Sequence, residues 1–162
     1  MALSVGDRLP EASFLVIGAD GPQEVALGPL LAGRKVVIFG LPGAFTRTCS
    51  AAHLPGFIAS RAALAEKGIA EVICIAVNDP FVMQAWGETT GATAAGITML
   101  ADAGAAFTKA IGMAFTAPPA GFYDRSMRYA LMAEDGVIKL LNIEVKRGVC
   151  ELSSGETMLD QL

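Results

Sequence analysis

Two runs along the chain, residues 35–39 and 72–77, consist almost entirely of apolar and β-branched residues. They show no alternation of apolar and polar positions, which is typical of strands that are buried on both faces. Residues 12–18 and 97–101 form two further apolar runs and also predict strands. The pattern therefore predicts at least four strands, separated by segments that lack this apolar pattern.

Helices are predicted after three of these strands, over residues 49–67, 80–88 and 102–111. Pro55 should kink or interrupt the first helix, because proline removes a backbone donor. Asn78 or Asp79 is expected to cap the second helix, and Asp102 the third, since short polar side chains accept hydrogen bonds from the first helical amides.

Turn residues predict two hairpins and a closing helix. A turn over residues 19–22 returns the first strand as residues 23–27, and residues 134–136 join the apolar runs 127–133 and 136–144. Residues 27–33 are expected to form a short apolar link, and the Pro- and Gly-containing residues 112–121 a loop. Ser153 and Glu156 match a capping box, which predicts a helix through Leu162.

The alternation of strands and helices through the middle of the chain favours parallel pairing, and the late hairpin favours antiparallel strands at one side. The predicted fold is an α/β domain with a central mixed sheet flanked by helices and an N-terminal β-hairpin. With 162 residues and no internal repeat or linker, the chain is expected to be one domain over residues 1–162.

The amino-acid composition and net charge argue against several classes of protein. Hydrophobic residues make up 53% of the chain and charged residues 17%, which argues against disorder. The net charge of -4 argues against a nucleic-acid partner, because phosphate binding needs a basic face. No apolar run approaches the roughly 20 residues of a membrane span. The first residues lack a secretory signal, so we expect a cytoplasmic location, although a transit peptide removed before residue 1 would leave no trace.

Three cysteines, Cys49, Cys74 and Cys150, are too few for a disulfide scaffold and indicate reactive or buried thiols in a reducing compartment. Cys49 follows the Pro/Gly loop over residues 41–48 and begins a predicted helix. Helix starts carry a partial positive charge, which favours the thiolate over the thiol. Cys49 is therefore predicted to be a reactive thiolate.

The spacing Pro42-x-x-x-Thr46-x-x-Cys49, with its flanks at residues 5–7, 53–57, 77–82 and 128–131, resembles the peroxiredoxins, in particular the type II or peroxiredoxin-five branch. Arg47 departs from the branch, which usually has proline there. The resemblance implies a thioredoxin-like fold and a thiol peroxidase that reduces hydrogen peroxide and alkyl hydroperoxides through a sulfenic acid on Cys49. It implies no metal, haem or flavin cofactor.

The same resemblance implies roles for three further residues. Thr46 would orient the peroxide, Pro42 would shield the thiolate, and Arg128 would face the Cys49 sulfur. From the residues alone, Thr46 can also be a plain helix cap, and Arg128 a surface arginine on a strand. Arg125 is interpreted as a loop or surface residue.

His53 is the only histidine and lies four residues after Cys49. A structural zinc site needs about four ligands, so a metal site is rejected. We interpret His53 as a satisfied, partly buried histidine, with a tuning role on Cys49 as the less favoured alternative.

The sequence leaves three options for the thiol that reduces the sulfenic acid on Cys49. Cys74 has the spacing from Cys49 of plant-type members that form an internal disulfide, but its predicted strand is buried. Cys150 lies near the C-terminal resolving position of animal-type members. The third option is that glutathione or glutaredoxin, or thioredoxin, reduces the sulfenic acid directly. The resemblance also implies a homodimer.

Two other functions compete with a peroxidase. A dithiol-disulfide oxidoreductase is disfavoured because the chain has no Cys-x-x-Cys. A non-catalytic redox sensor or chaperone would use the same Cys49 and is not excluded by the sequence.

Overall fold

The computed structural model describes residues 2–146 and 148–162, with only the backbone of Cys49. The strands are β1 (Ser13–Gly18), β2 (Gly21–Ala26), β3 (Lys35–Leu41), β4 (Glu71–Ala76), β5 (Ile97–Ala101), β6 (Ala114–Ala117), β7 (Phe122–Ser126), β8 (Tyr129–Glu134) and β9 (Val137–Ile143). The α-helices are α1 (Gly28–Leu31), α2 (Leu54–Glu66), α3 (Pro80–Thr90), α4 (Ala106–Ala110) and α5 (Gly155–Gln161). A π-helical segment, Cys49–His53, precedes α2, and a short 3₁₀ turn, Pro118–Ala120, precedes β7.

Seven of these strands form one mixed sheet in the order β2-β1-β5-β4-β3-β8-β9. The three central strands β3, β4 and β5 pair in parallel, and the outer pairs are antiparallel. This confirms the predicted mixed sheet, the N-terminal hairpin β1-β2 and the late hairpin β8-β9. The connections between parallel strands cross over as helices, and these helices cover the faces of the sheet.

The central strands are buried on both faces, as their apolar composition predicts. Successive side chains of β3 point to opposite faces of the sheet. Val37 and Phe39 join a core cluster with Phe57 of α2 and Trp86 of α3. Val36 and Ile38, on the other face, join a second cluster with Phe14, Phe107 and Ile111. The helices therefore cover the sheet on two sides and leave the ends of β3 and β4 available for a site.

The predicted cap of α3 is confirmed, but that of α4 is wrong. Asp79 accepts a hydrogen bond from the Val82 amide at 2.9 Å. Helix α4 begins only at Ala106. The Asp102 carboxylate still accepts from the backbone amides of Phe107 and Thr108, so it serves this helix from four residues away rather than as its cap.

The capping box of the last helix is also shifted by one residue. Ser154, not Ser153, is the cap, and its hydroxyl accepts from the Thr157 amide at 3.1 Å. Helix α5 packs on α2 at Gly155, where an added Cβ would lie 2.8 Å from the Gly56 carbonyl oxygen. The missing side chain therefore allows two helix backbones to approach closely.

Residues 112–121 are not the predicted loop. They contain β6, which pairs antiparallel with β7 in a separate two-stranded ribbon. Phe115 and Phe122 meet edge to face with ring centroids 6.1 Å apart. The pairing is interrupted by a register shift after Phe115, and Pro118 and Pro119 form the turn, so no run of alternating residues marked the strand. The expected link at 27–33 likewise contains the short helix α1.

Candidate active site

The loop from Pro42 to Thr46 leaves β3 and turns directly into a helix. Its first half is buried, and Phe45 adopts a left-handed backbone conformation with φ 63°. Asn78, just beyond β4, accepts a hydrogen bond from the Ala44 amide at 2.9 Å. The neighbouring parallel strand therefore fixes the middle of this loop.

Arg125 holds the start of the same loop. Its Nη1 donates to the Pro42 carbonyl oxygen at 3.0 Å, and its guanidinium lies 5.4 Å from the centre of the Phe122 ring. Gly43 leaves room for this guanidinium, because a Cβ on it would overlap Arg125 Nη1 and displace it. The interpretation of Arg125 as a loop or surface residue is therefore wrong. Recognising its place would have required the β6-β7 ribbon, which brings it to the loop.

Thr46 immediately precedes the helical stretch, which begins at Arg47. Its carbonyl oxygen accepts from the Ser50 amide at 2.9 Å, which makes Thr46 the cap residue by position. Its hydroxyl donates to the Gly43 carbonyl oxygen at 2.7 Å. Because that bond uses the single hydroxyl hydrogen, the oxygen lone pairs can still accept a hydrogen bond.

Helical backbone begins at Arg47 and becomes π-helical over Cys49–His53, so Cys49 lies in the first turn, as predicted. The Cys49 side chain lies outside the described part of the chain, and its thiolate stays a prediction. Two side chains beside it anchor the segment: Trp86 Nε1 donates to Ser50 Oγ at 3.1 Å, and Thr48 Oγ1 donates to the Gly148 carbonyl at 2.9 Å. Single-turn π segments occur frequently at functional sites.

Arg128 immediately precedes β8 and is 6% exposed, so the alternative of a surface strand arginine is wrong. Its Nη1 lies 3.0 Å from Nδ1 of His53. His53 is fully buried rather than partly buried, and its Nε2 lies 3.0 Å from the Ser153 carbonyl oxygen. Burial, reinforced by the nearby guanidinium, lowers the pKa of His53 from 6.5 to about 3.

The residues after β9 fold back over this pair. The Glu144 carboxylate accepts hydrogen bonds from the amides of Glu151, Leu152 and Ser153 and from the Ser153 hydroxyl. Burial alone would raise the pKa of Glu144, but these donors, above all Ser153, outweigh burial and lower its pKa. These hydrogen bonds fix residues 151–153, which directly follow Cys150, to Glu144. It was not recognised in the sequence, because nothing in the pattern joins residue 144 to residue 153.

A cavity of about 280 Å³ opens beside the loop. It is lined by Pro42 and Arg128 together with Phe115, Thr116, Met127, Glu144, Val145, Lys146 and Gly148. Two of the sequence-predicted site residues thus share one cavity whose walls are largely apolar. Among the described residues, no group of three or more His, Cys, Asp or Glu side chains could hold a metal ion, and no helix has the length and apolar character needed to cross a membrane.

The two candidate resolving cysteines differ in setting. Cys74 lies in the middle of β4, is fully buried, and pairs with Phe39 on β3 and Met99 on β5. Cys150 is half-buried. It lines a cleft of about 380 Å³ with Thr48 and Ala52, which flank Cys49 in the sequence.

Similarity to known proteins shows which family the chain belongs to. Residues 4–159 match the Redoxin family. The chain is 46% identical over 164 residues to peroxiredoxin-2E-2, chloroplastic, from Oryza sativa subsp. japonica, with 99% of this chain and 72% of that protein covered. It is 41% identical to peroxiredoxin-2E, chloroplastic, from Arabidopsis thaliana, over 99% of this chain and 70% of that protein. The chain belongs to the peroxiredoxins.

A solved structure of this family has the same fold. Reduced Prx3 from Vibrio vulnificus in complex with H2O2 is 43% identical to this peroxiredoxin, with a TM-score of 0.89 and 98% of each chain covered. The mixed sheet flanked by helices is therefore the thioredoxin-like peroxiredoxin fold. The chain is a type II peroxiredoxin, an enzyme of the thiol peroxidase class that acts in antioxidant defence.

Proposed function

We propose that this peroxiredoxin, acting as a single domain, reduces hydrogen peroxide and organic hydroperoxides with Cys49 as the nucleophile. The thiolate attacks one peroxide oxygen, an S–O bond forms and the O–O bond breaks. The second oxygen takes a proton and leaves as water or alcohol, and Cys49 becomes a sulfenic acid. A thiol then reduces the sulfenic acid, so the cycle needs a thiol co-substrate and no resident cofactor.

The observation that carries this proposal is the buried Arg128, which lines the same cavity as Pro42 of the loop that leads to Cys49. A guanidinium keeps its charge when it is buried and offers several donors. In this cavity it can stabilise both the thiolate and the charge that develops on the leaving oxygen. Thr46 supplies an acceptor for the hydroperoxide hydrogen, since its own hydrogen is bound to Gly43, and Pro42 excludes water from one side.

The shape of the cavity supports organic substrates as well as hydrogen peroxide. An apolar cavity of about 150 Å³ is large enough for benzene, and this one has about 280 Å³. Phe115, Met127 and Val145 supply apolar walls. Burial of the organic group against these walls would add binding energy that hydrogen peroxide lacks.

For recycling we propose Cys150 rather than Cys74 as the internal partner of Cys49. Cys74 is covered by β3 and β5, so a disulfide to it would require the centre of the sheet to open. Cys150 lines the same cleft as Thr48, the residue before Cys49. The resulting disulfide, or the sulfenic acid itself, would be reduced by a thioredoxin-type protein or by glutathione and glutaredoxin.

Two further expectations belong to this proposal. A homodimer is supported by Phe45 in the active-site loop and Phe81 on α3, which are 55% and 59% exposed, since exposed apolar side chains near a site favour association. The cytoplasm is the expected location, and the chloroplastic names of the rice and Arabidopsis relatives support an organelle as the alternative.

Peroxide turnover with a supplied thiol tests the proposal. Cys49→Ser should abolish turnover and keep the fold, because serine forms no useful nucleophile at neutral pH. Cys74→Ser should keep turnover, while Cys150→Ser should remove the internal disulfide that mass spectrometry detects after peroxide treatment. Continued turnover in Cys49→Ser would refute the assignment of the nucleophile, and a disulfide to Cys74 would refute the assignment of the partner.

A further inference from the structure

The two ring nitrogens of His53 each lie within hydrogen-bond distance of one described group, and the chemistry of these two groups fixes where the imidazole proton lies. An arginine guanidinium has only donors, so Nδ1 of His53, 3.0 Å from Arg128 Nη1, must present its lone pair. The imidazole proton is therefore on Nε2, where it is donated to the Ser153 carbonyl oxygen at 3.0 Å. The structure thus selects one neutral tautomer of the only histidine in the chain.

The group that holds His53 is itself fixed. The amide of Ser153 donates to Glu144 Oε2 at 2.7 Å. The amide of Glu144 in turn donates to the carbonyl oxygen of Arg128 at 3.0 Å. The hydrogen bonds therefore form a closed ring that starts at the Arg128 guanidinium, passes through His53, Ser153 and Glu144, and returns to the Arg128 backbone.

Packing against two aromatic side chains also fixes the imidazole of His53. Its centroid lies 5.0 Å from that of the Phe39 ring and 5.6 Å from that of the Phe57 ring. Phe39 and Phe57 are themselves stacked 4.1 Å apart in the core. The acceptor that faces Arg128 consequently belongs to a rigid part of the molecule.

A neutral acceptor has a particular consequence for the charge of Arg128. A carboxylate in this place would pair with the guanidinium and cancel most of its field. A neutral imidazole fixes one Nη and itself cancels none of the positive charge. Burial keeps the pKa of His53 far below neutral, so the imidazole stays an acceptor throughout the neutral range.

We propose that His53 is a positioning residue for Arg128: its Nδ1 lone pair fixes the guanidinium at the wall of the peroxide cavity without neutralising it. This inference rests on the proposed role of Arg128 in catalysis. It differs from a purely structural role, in which His53 would only satisfy the Ser153 carbonyl and fill the core.

Two amide substitutions separate these roles. In His53→Asn the side-chain amide ends as many bonds from Cα as Nδ1 does, so its oxygen can accept from Arg128. In His53→Gln the amide nitrogen lies as many bonds from Cα as Nε2, so it can donate to Ser153 but leaves Arg128 without the acceptor. Both variants lose the ring contacts with Phe39 and Phe57, which makes each the control for the other.

The test combines these variants with Arg128→Ala and the double variant His53→Gln/Arg128→Ala, with folding checked by circular dichroism. We expect His53→Gln to lower kcat/KM for peroxide roughly tenfold to a hundredfold and to raise the pH at which Cys49 is alkylated. His53→Asn should keep most of the wild-type rate. In the Arg128→Ala background, His53→Gln should cause no further loss, because its effect acts through the missing guanidinium.

Independent losses that multiply in the double variant, or equal losses in the Asn and Gln variants, would overturn the positioning role. A wild-type rate in Arg128→Ala would instead refute the proposed role of Arg128. Nitrogen NMR of the wild-type histidine tests the inference without any variant: a protonated Nε2 and an unprotonated Nδ1 at neutral pH are expected, and the opposite tautomer or an imidazolium would overturn it.

Discussion

At the scale of single residues, the site depends on close contacts between charged side chains and backbone. Arg125 illustrates this, because in its hydrogen bond to the Pro42 carbonyl it occupies the space that a side chain at residue 43 would fill. Arg128 illustrates it a second time, because the group that accepts from its Nη1 is an uncharged histidine. A lysine would substitute only in part for either arginine, since it keeps the charge but lacks the planar fork.

Gly43→Ala should displace the Arg125 guanidinium, because the new Cβ collides with Nη1. The loss of its bond to Pro42, which is partly exposed, should cost about 1 kcal/mol and lower Tm by about 2–4 °C. Thermal unfolding of Gly43→Ala, Arg125→Ala and the double variant measures this. If Gly43→Ala costs as much without Arg125 as with it, contact with Arg125 is not the reason for glycine at this position.

At the scale of elements, local sequence signals predicted most of the fold. The buried strands at residues 35–39 and 72–77, the Asp79 cap and the hairpin at residues 134–136 all depend on neighbouring residues, and the structure confirms them. The β6-β7 ribbon was missed because its pairing is short, irregular and non-local. The π-helical winding of Cys49–His53 was likewise missed, since only an irregularity at Pro55 could be read from the sequence.

The same distinction applies to the site. Pro42, Thr46 and Cys49 could be predicted together because they share one loop and one motif. The burial of Arg128 confirms that it is not a surface residue, but its partner His53 lies 75 positions away. The hydrogen bonds to Glu144 and the placement of Arg125 depend on tertiary contacts, which no local sequence pattern predicts.

At the scale of the whole molecule, the buried His53 couples stability to pH. Its folded-state pKa of about 3 is below the unfolded value of 6.5, so below pH 6.5 the unfolded chain binds a proton that the folded chain does not. The unfolding free energy is therefore highest above pH 6.5 and falls as the pH decreases. Glu144, with its lowered pKa, adds to the loss only in more acidic solution.

Urea unfolding of Cys49→Ser between about pH 6.5 and 5 isolates the histidine, because this variant lacks the thiolate and unfolded carboxylic acids titrate lower, near pH 4. In this window Cys49→Ser should lose up to about 1.4 kcal/mol per pH unit. The double variant Cys49→Ser/His53→Asn should show a flat dependence. A flat profile in Cys49→Ser would contradict a buried neutral His53.

Activation of Cys49 by the buried Arg128 is the central step of the proposed mechanism. A pH series of Cys49 alkylation, measured beside peroxide turnover for the wild type, Arg128→Lys and Arg128→Ala, tests it directly. Arg34→Ala, which removes an arginine paired with Glu71, is the control.

Arg128→Ala should raise the pKa of Cys49 and reduce turnover roughly a hundredfold, more than the lost thiolate fraction explains. Arg128→Lys should be partly active, because lysine keeps the charge and loses the fork. A wild-type Cys49 pKa together with wild-type turnover in Arg128→Ala would show that Arg128 does not activate Cys49.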